Sequence, residues 1–313
     1  MTKRALLVGI NQYPTSPLRG CLNDVEDWHK LITSVGGYTP ENVRALCDER
    51  ATTQGIKDRL AWLKEGAKPG DEVFFQFSGH GSQVRDRGVQ DELADHMDEI
   101  ICPVDLDWEQ KVITDDDLAD WIAGFPTGVR ITVVLDSCHS GSGTRELRPP
   151  MENPHYKADR YIHPPLDIEL RSRVTDGTKA PMKRARMGHG KKSGFVRKTR
   201  AVTGTRFLSW FFRPKPKPKL KPVVVAPAVP VTPGLNHLLI SGCRSDQTSA
   251  DAFIGGRYNG ALTRFMVDAF SKAPAGIVSA VHSQAKQAMI SAGYSQESQL
   301  EGPDSLLSRP LFG

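Results

Sequence analysis

Four short apolar runs, RALLVGI, NVRALC, DEVFFQF and RITVVLD, recur through the first 148 residues, separated by stretches long enough for a helix. Side chains alternate between the two faces of a strand, so an unbroken apolar run needs cover on both faces. The pattern predicts an α/β chain with a mostly parallel central sheet and helices on both faces. Between the runs, Val25, Trp28, Leu31, Ile32 and Val35 form one apolar stripe, predicting a helix that starts at Asp24. Thr52 or Thr53 is placed to cap a second helix carrying Ile56, Leu60 and Leu63. The order reads β-α-β-α-β, then a long polar insertion, then a further helix and strand.

After this first part, residues 1–148, the character changes. Residues 149–233 have no sustained periodicity and include RPKPKPKLKP and PAVPVTPG, where alternating proline forbids helix and removes ladder donors. This reads as a basic, proline-rich insertion or linker. From 234 onward HLLISG returns as a strand, and GALTRFMVDAF and IVSAVHSQAKQAMISAG as two helices. A strand that resumes the earlier alternation predicts completion of the same sheet, so one domain interrupted by an insertion is expected.

The net charge of +5 hides a division: residues 1–148 carry 16 Lys/Arg against 25 Asp/Glu, and 149–313 carry 25 against 11. No acid occurs between Asp176 and Asp246. An acidic half attracts cationic ligands, and a basic half attracts polyanions or the acidic half itself. Five widely spaced cysteines without a CxxC pair support neither a disulfide framework nor a zinc site. The N-terminus reads as a first strand rather than a secretory signal, and no stretch is apolar enough to cross a bilayer. A cytoplasmic protein is the expectation.

Ligands in open parallel sheets bind beyond the carboxyl ends of the strands. Two such ends carry reactive side chains: EVFFQFSGHGS delivers Ser78 and His80, and ITVVLDSCHSGSG delivers Asp136, Cys138 and His139. A thiolate paired with an imidazole is an effective nucleophile, and a glycine-rich turn leaves room for a substrate backbone. A lone cysteine after a strand is usually a buried small hydrophobe, and a glycine-flanked histidine usually a surface turn residue. Their joint appearance at two strand ends favours catalysis. Adjacent side chains diverge, so His80 is a better base for Cys138 than His139. Too few ligands accompany them for zinc, and Gly-x-Ser-x-Gly is broken at Ser82 and Ser142.

FSGHGSQ, DSCHSG, the early GCLND turn, MDEIICPVDLD with ITDDDL, and a late SGCRSDQTSADA, taken in this order, resemble the metacaspases, a family of caspase-like cysteine peptidases, and especially their short bacterial members. The resemblance covers residues 3–145 and about 235–302. It implies a caspase-haemoglobinase fold, a monomer, and peptide-bond hydrolysis by a Cys-His dyad through a thioester. Cys138 matches the nucleophile, His80 the base, and the backbone N–H groups of Cys138 and Gly81 the oxyanion donors. Metacaspases cut after arginine or lysine, and Asp24, Ser78 and Asp136 match the pocket for that side chain. Carboxylates in a partly desolvated pocket do demand a cation. Cys243 and Asp246 match residues along the substrate groove.

The chemistry itself needs no cofactor. Asp98, Asp115 and Asp116 match three members of the calcium site of eukaryotic metacaspases, although Arg145 stands near the place of a further aspartate and TDDDL also suits a helix N-terminus. For an Arg/Lys-directed enzyme the basic insertion is read as holding self-processing sites or as occupying the groove until cleaved, with an uncut active enzyme as the alternative; Arg184, Arg186, Lys192, Lys198 and Arg200 are candidate sites, since proline follows Arg213, Lys215 and Lys217. Protein or peptide substrates are the expected partners. No nucleic-acid-binding fold accompanies the basic stretch. The rival reading is a catalytically silent caspase-like module that binds a partner through the basic segment.

Overall fold

The computed structural model describes residues 1–85, 97–138, 157–165, 168, 237–244 and 247–313. A six-stranded sheet forms the centre, in the order β12-β9-β7-β3-β1-β2. Its strands are β1 (Lys3–Gly9), β2 (Val43–Cys47), β3 (Glu72–Ser78), β7 (Arg130–Asp136), β9 (His237–Ser241) and β12 (Gln299–Glu301). All neighbours are parallel except β12, which runs antiparallel at the edge.

The runs of β1, β3 and β7 are long because both faces are buried, whereas β2, at the sheet edge, leaves Arg44 and Ala45 exposed. Along β1, Leu6 and Val8 pack with Phe75 and Phe77 of β3 against the helix α2 (Thr53–Lys64) and the helix α3 (Asp115–Ala123). Ala5 and Leu7 enter the opposite core with Phe74, against the helices α1 (Cys21–Ser34), α4 (Ala261–Lys272) and α5 (Val278–Ser291). Successive residues of one strand thus feed two cores. A short helix α6 (Asp304–Leu307) follows β12.

Thr52 caps α2, its hydroxyl accepting from the Gly55 N–H at 3.0 Å. The helix expected from Asp24 instead begins at Cys21. Its cap comes from far away: the Asn11 side-chain carbonyl accepts the Cys21 N–H at 2.9 Å. A partner ten residues back leaves no mark in local periodicity.

The polar insertion expected between β3 and α3 contains a second sheet, in the order β4 (Gly81–Arg85), β5 (Met97–Ile101), β6 (Ile113–Thr114), all antiparallel. A third sheet joins β11 (Arg257–Gly260), β10 (Ala250–Ile254) and β8 (Ala158–Asp159). Strand β8 lies inside the stretch read as a basic linker. It is held to β10 by Ala250 opposite Asp159 and Asp251 opposite Ala158.

Candidate active site

Strands β3 and β7 are paired in register, with Ser78 opposite Asp136. His80 and Cys138 each lie two residues beyond that pair, at neighbouring carboxyl ends of the sheet. Both are buried. The His80 ring packs edge-on against Tyr13, with centroids 4.6 Å apart. Its backbone N–H donates to the Tyr13 hydroxyl at 3.0 Å, and that hydroxyl donates to the Cys102 carbonyl at 2.8 Å. His80 Nε2 lies 2.6 Å from the Ser16 carbonyl oxygen. A carbonyl can only accept, so Nε2 carries the proton, and in the neutral ring the basic lone pair is on Nδ1.

Cys138 Sγ donates to the Ser249 carbonyl at 3.4 Å and accepts the Ser249 N–H. Burial pushes the Cys138 thiol well up, and Cys243 beside it adds to the shift. Cys243 is itself buried and donates to the Gln247 carbonyl at 3.3 Å. Its sulfur therefore borders the Cys138 thiol.

The backbone N–H groups of Gly81 and Cys138 converge on one acceptor, the carbonyl oxygen of Arg160, at 2.9 and 3.1 Å. Gly81 has no alternative here. A Cβ at that position would lie 2.0 Å from the Cys138 carbonyl oxygen.

The Arg160 side chain is fully buried among three carboxylates. Its Nη2 donates to Asp24 at 2.7 Å and to Asp251 at 3.0 Å, and its Nη1 lies 3.2 Å from Asp136. Each carboxylate is also held by the fold. Asp24 accepts the Gly260 N–H and the Asn259 amide. Asp136 accepts the Ser249 hydroxyl and the N–H and hydroxyl of Thr263, in the first turn of α4, where the helix dipole favours an anion. Asp251 accepts the backbone N–H groups of Arg19 and Gly20.

Three carboxylates around one guanidinium leave surplus negative charge. Burial pushes Asp24 up to about 6 against the opposing pull of Arg160, with Asp136 adding to the rise. Burial alone would lower Arg160, but Asp136 and the other acidic neighbours hold it well above its ordinary value. Space at the guanidinium is tight: a Cβ on Gly260 would meet Asp136 Oδ2 at 2.2 Å and Arg160 Nη1 at 2.5 Å.

Of the residues expected in the pocket, Asp24 and Asp136 meet the guanidinium. Ser78 lies buried at the end of β3, where its hydroxyl accepts from Gln76 Nε2 at 2.6 Å instead of joining the ion cluster. Asp24 lies in the first turn of α1, and its carboxylate is taken up by Arg160, Asn259 and Gly260. Asp251 and Arg160 were not among the expected site residues. Asp251 lies in the SGCRSDQTSADA block, where Asp246 drew attention instead; Asp246 lies outside the described residues, as do His139, Arg145 and the expected cleavage sites Arg184, Arg186, Lys192, Lys198 and Arg200.

Asp98 is buried on β5, and the β5–β6 register carries it toward Asp115 and Asp116, which open α3. Oxygen donors of this kind suit calcium. Within the TDDDL stretch, Asp117 closes a capping box with Thr114. Among the described residues no three His, Cys, Asp or Glu side chains converge to hold a metal.

Residues 3–145 match the family model described as metacaspase, peptidase C14 domain. Metacaspase-1 of Yarrowia lipolytica is 31% identical over 281 residues, 87% of this chain and 55% of that protein. Metacaspase-1 of Candida albicans is 30% identical over 311 residues, 95% of this chain and 64% of that protein. The chain thus spans between about half and two thirds of the length of the curated relatives it matches. A solved protein of Geobacter sulfurreducens aligns over 100% of this chain and 98% of its own at a TM-score of 0.61 and 21% identity. The parallel sheet with helices on both faces is the caspase-like architecture anticipated from the motifs, and residues 3–145 of the chain belong to the metacaspase family.

Proposed function

We propose that this protein is a cysteine endopeptidase that cuts after arginine or lysine, with Cys138 as nucleophile and His80 as base. One observation carries the reading: a guanidinium sits among Asp24, Asp136 and Asp251 while the carbonyl of the same residue is held by the N–H groups of Gly81 and Cys138. Selection of a cation and polarisation of the adjoining carbonyl are thereby joined at one residue. Lysine fits the same charge but offers three donors from one point rather than a planar fork.

In the proposed cycle His80 Nδ1 takes the Cys138 proton as the sulfur attacks the scissile carbonyl carbon. The oxygen gains negative charge between the two N–H groups. Collapse expels the amine, which receives the proton from His80, and leaves a thioester on Cys138. Water, activated by the same imidazole, then hydrolyses the thioester. The Ser16 carbonyl holds the ring in the tautomer that this sequence of steps requires.

Peptides ending in arginine, lysine or aspartate, assayed against wild type and Cys138→Ala, test the proposal. Hydrolysis after Arg and Lys that vanishes in Cys138→Ala supports it; a preference for Asp would overturn the pocket assignment. The same assay with added calcium and with a chelator decides whether Asp98, Asp115 and Asp116 take part in a metal-dependent step. The buried thiol and filled groove also suit a silent binding module, which predicts no hydrolysis by any form of the protein. Every residue in the proposed site comes from one chain, so a monomer suffices. No described helix is long and apolar enough to cross a membrane.

A further inference from the structure

The edge of β10 carries an extended segment, and the two faces of that segment meet different chemistry. Ala250 lies opposite Asp159 and Asp251 opposite Ala158. Successive side chains of an extended chain point to opposite faces. Arg160 enters the carboxylate pocket, whereas Asp159 accepts the Thr248 hydroxyl at 3.0 Å. Two residues further back, Lys157 sets its Nζ 4.1 Å from the centroid of the Tyr294 ring.

Tyr294 is built into the wall beside β10. Helix α5 ends at Ser291, and Gly293, at φ +87°, turns the chain through the left-handed region that glycine adopts without strain. The Gly293 and Tyr294 N–H groups donate back to the Ile290 and Met289 carbonyls at 2.9 and 3.2 Å, closing the helix end. The residues that follow are clipped to the loop entering β10. The Ser295 carbonyl accepts from Gln247 Nε2 at 3.0 Å, and the Gln296 side-chain oxygen accepts the Ala250 N–H at 2.9 Å. Phe265 on α4 packs edge-on to the Tyr294 ring, with centroids 5.8 Å apart. The fold therefore sets the distance from Tyr294 to the edge of β10, whatever lies on that edge.

An aromatic face attracts a cation within about 6 Å of its centroid through the ring quadrupole, without a hydrogen bond. Among the described residues no carboxylate pairs with the Lys157 ammonium, so the ring is what meets its charge.

We infer that Tyr294 determines specificity at a second site along the groove: its ring face takes the cation of a substrate lysine or arginine standing three residues before the residue cut. The inference rests on the peptidase reading and its acidic pocket; it takes only a register from Lys157 and Arg160 and requires no cleavage of this chain. A substrate added as a strand to the edge of β10, with its arginine among Asp24, Asp136 and Asp251, brings its third residue back over Tyr294. The class selected is an extended polypeptide with two basic residues at that spacing, Lys-x-x-Arg or Arg-x-x-Arg.

The experiment measures kcat/KM of the full chain as wild type, Tyr294→Phe and Tyr294→Leu. Phenylalanine keeps the aromatic face, and leucine fills the space beside Phe265 without one. The peptides are Lys-Ala-Ala-Arg, the same peptide with lysine replaced by norleucine, glutamate or trimethyllysine, and Ala-Lys-Ala-Arg, in which the cation is moved by one residue. Wild type and Tyr294→Phe are expected to favour lysine over norleucine by about two- to fivefold, mainly through KM. Glutamate should give no advantage. Trimethyllysine should keep it, because a ring face needs no N–H donor. In Tyr294→Leu the lysine and norleucine peptides should be cut equally well, while Ala-Lys-Ala-Arg should respond no differently from the norleucine peptide to the substitution.

Equal cutting of the lysine and norleucine peptides by wild type overturns this inference and leaves the peptidase reading standing. So does a lysine advantage that survives in Tyr294→Leu, which would mean that the general negative field of the groove attracts the cation. An advantage lost with trimethyllysine overturns it too, by pointing to a carboxylate partner. No hydrolysis of any peptide by wild type, with the fold intact by circular dichroism, removes both readings. If Tyr294→Leu does not fold, the lysine, norleucine and trimethyllysine peptides with wild type and Tyr294→Phe still decide the matter.

Discussion

Gly81 and Cys138, from opposite sides of the β3–β7 strand ends, donate their backbone N–H groups to one carbonyl oxygen, at 2.9 and 3.1 Å. Neither donor belongs to the ladder of the central sheet. Both are available because the chain leaves β3 and β7 at the same level, fixed by the pairing of Ser78 with Asp136.

Gly81→Ala is expected to damage the transition state more than substrate binding. The added Cβ would fall 2.0 Å from the Cys138 carbonyl oxygen, so one of the two segments must move and the donors no longer converge. Loss of one such donor costs about 10²–10³ in kcat. Steady-state kinetics on an Arg-ended peptide should show that fall with KM little changed; a pure KM effect would contradict the assignment.

Asp251→Asn tests the carboxylate that completes the pocket. It removes a charge-assisted bond from Arg160 and, by the same geometry, from a substrate arginine. A bond to a charged group is worth about 1.5–3 kcal/mol, so kcat/KM for Arg-ended peptides should drop about 10–100-fold. Equal losses on Arg-ended and uncharged peptides would mean that Asp251 serves the fold and not selection.

Tyr13→Phe should act through His80. The phenol, kept neutral by burial, accepts from the His80 N–H and donates to the Cys102 carbonyl. Leaving both groups unsatisfied costs about 1–3 kcal/mol of stability for each. A lower Tm together with reduced kcat and a shifted acid limb of the pH–rate profile is expected. An unchanged profile with only a lower Tm would restrict Tyr13 to the core.

Stability should fall as the solution is acidified from about pH 6.5 toward 4. His282 is buried on α5 against the Ser298 hydroxyl at 2.9 Å, and burial, with Lys286 nearby, brings it down to about 4 from an ordinary 6.5. In that window the unfolded chain takes up a proton that the folded chain refuses, so unfolding is favoured; below about pH 4 both states are protonated and the loss is complete. Urea melts of wild type and His282→Gln across this range check it: the substitution should flatten the slope.

Much of the architecture was legible because it is written locally. The β1, β3 and β7 runs show the period and length of doubly covered strands, and the reactive pair follows the last two at fixed spacing; β2, read the same way, lies at the sheet edge and leaves Arg44 and Ala45 exposed. The antiparallel β4–β5–β6 sheet was not legible, since Gln83, Asp98 and Glu99 break the apolar signal of its short strands. The start of α1 was misplaced for a related reason: its cap is Asn11, outside the helix.

What the sequence determined by itself was which residues can do chemistry and which strand ends carry them, because side-chain type and periodicity are properties of short windows. Only the tertiary structure decided where the third carboxylate comes from and what fills the pocket. Asp251 is 115 residues from Asp136 and 227 from Asp24 along the chain, and Arg160 lies in a stretch whose composition reads as linker. A buried guanidinium goes wherever opposite charge and backbone carbonyls can compensate its desolvation, and that compensation exists only once β7, α1 and β10 have been brought together.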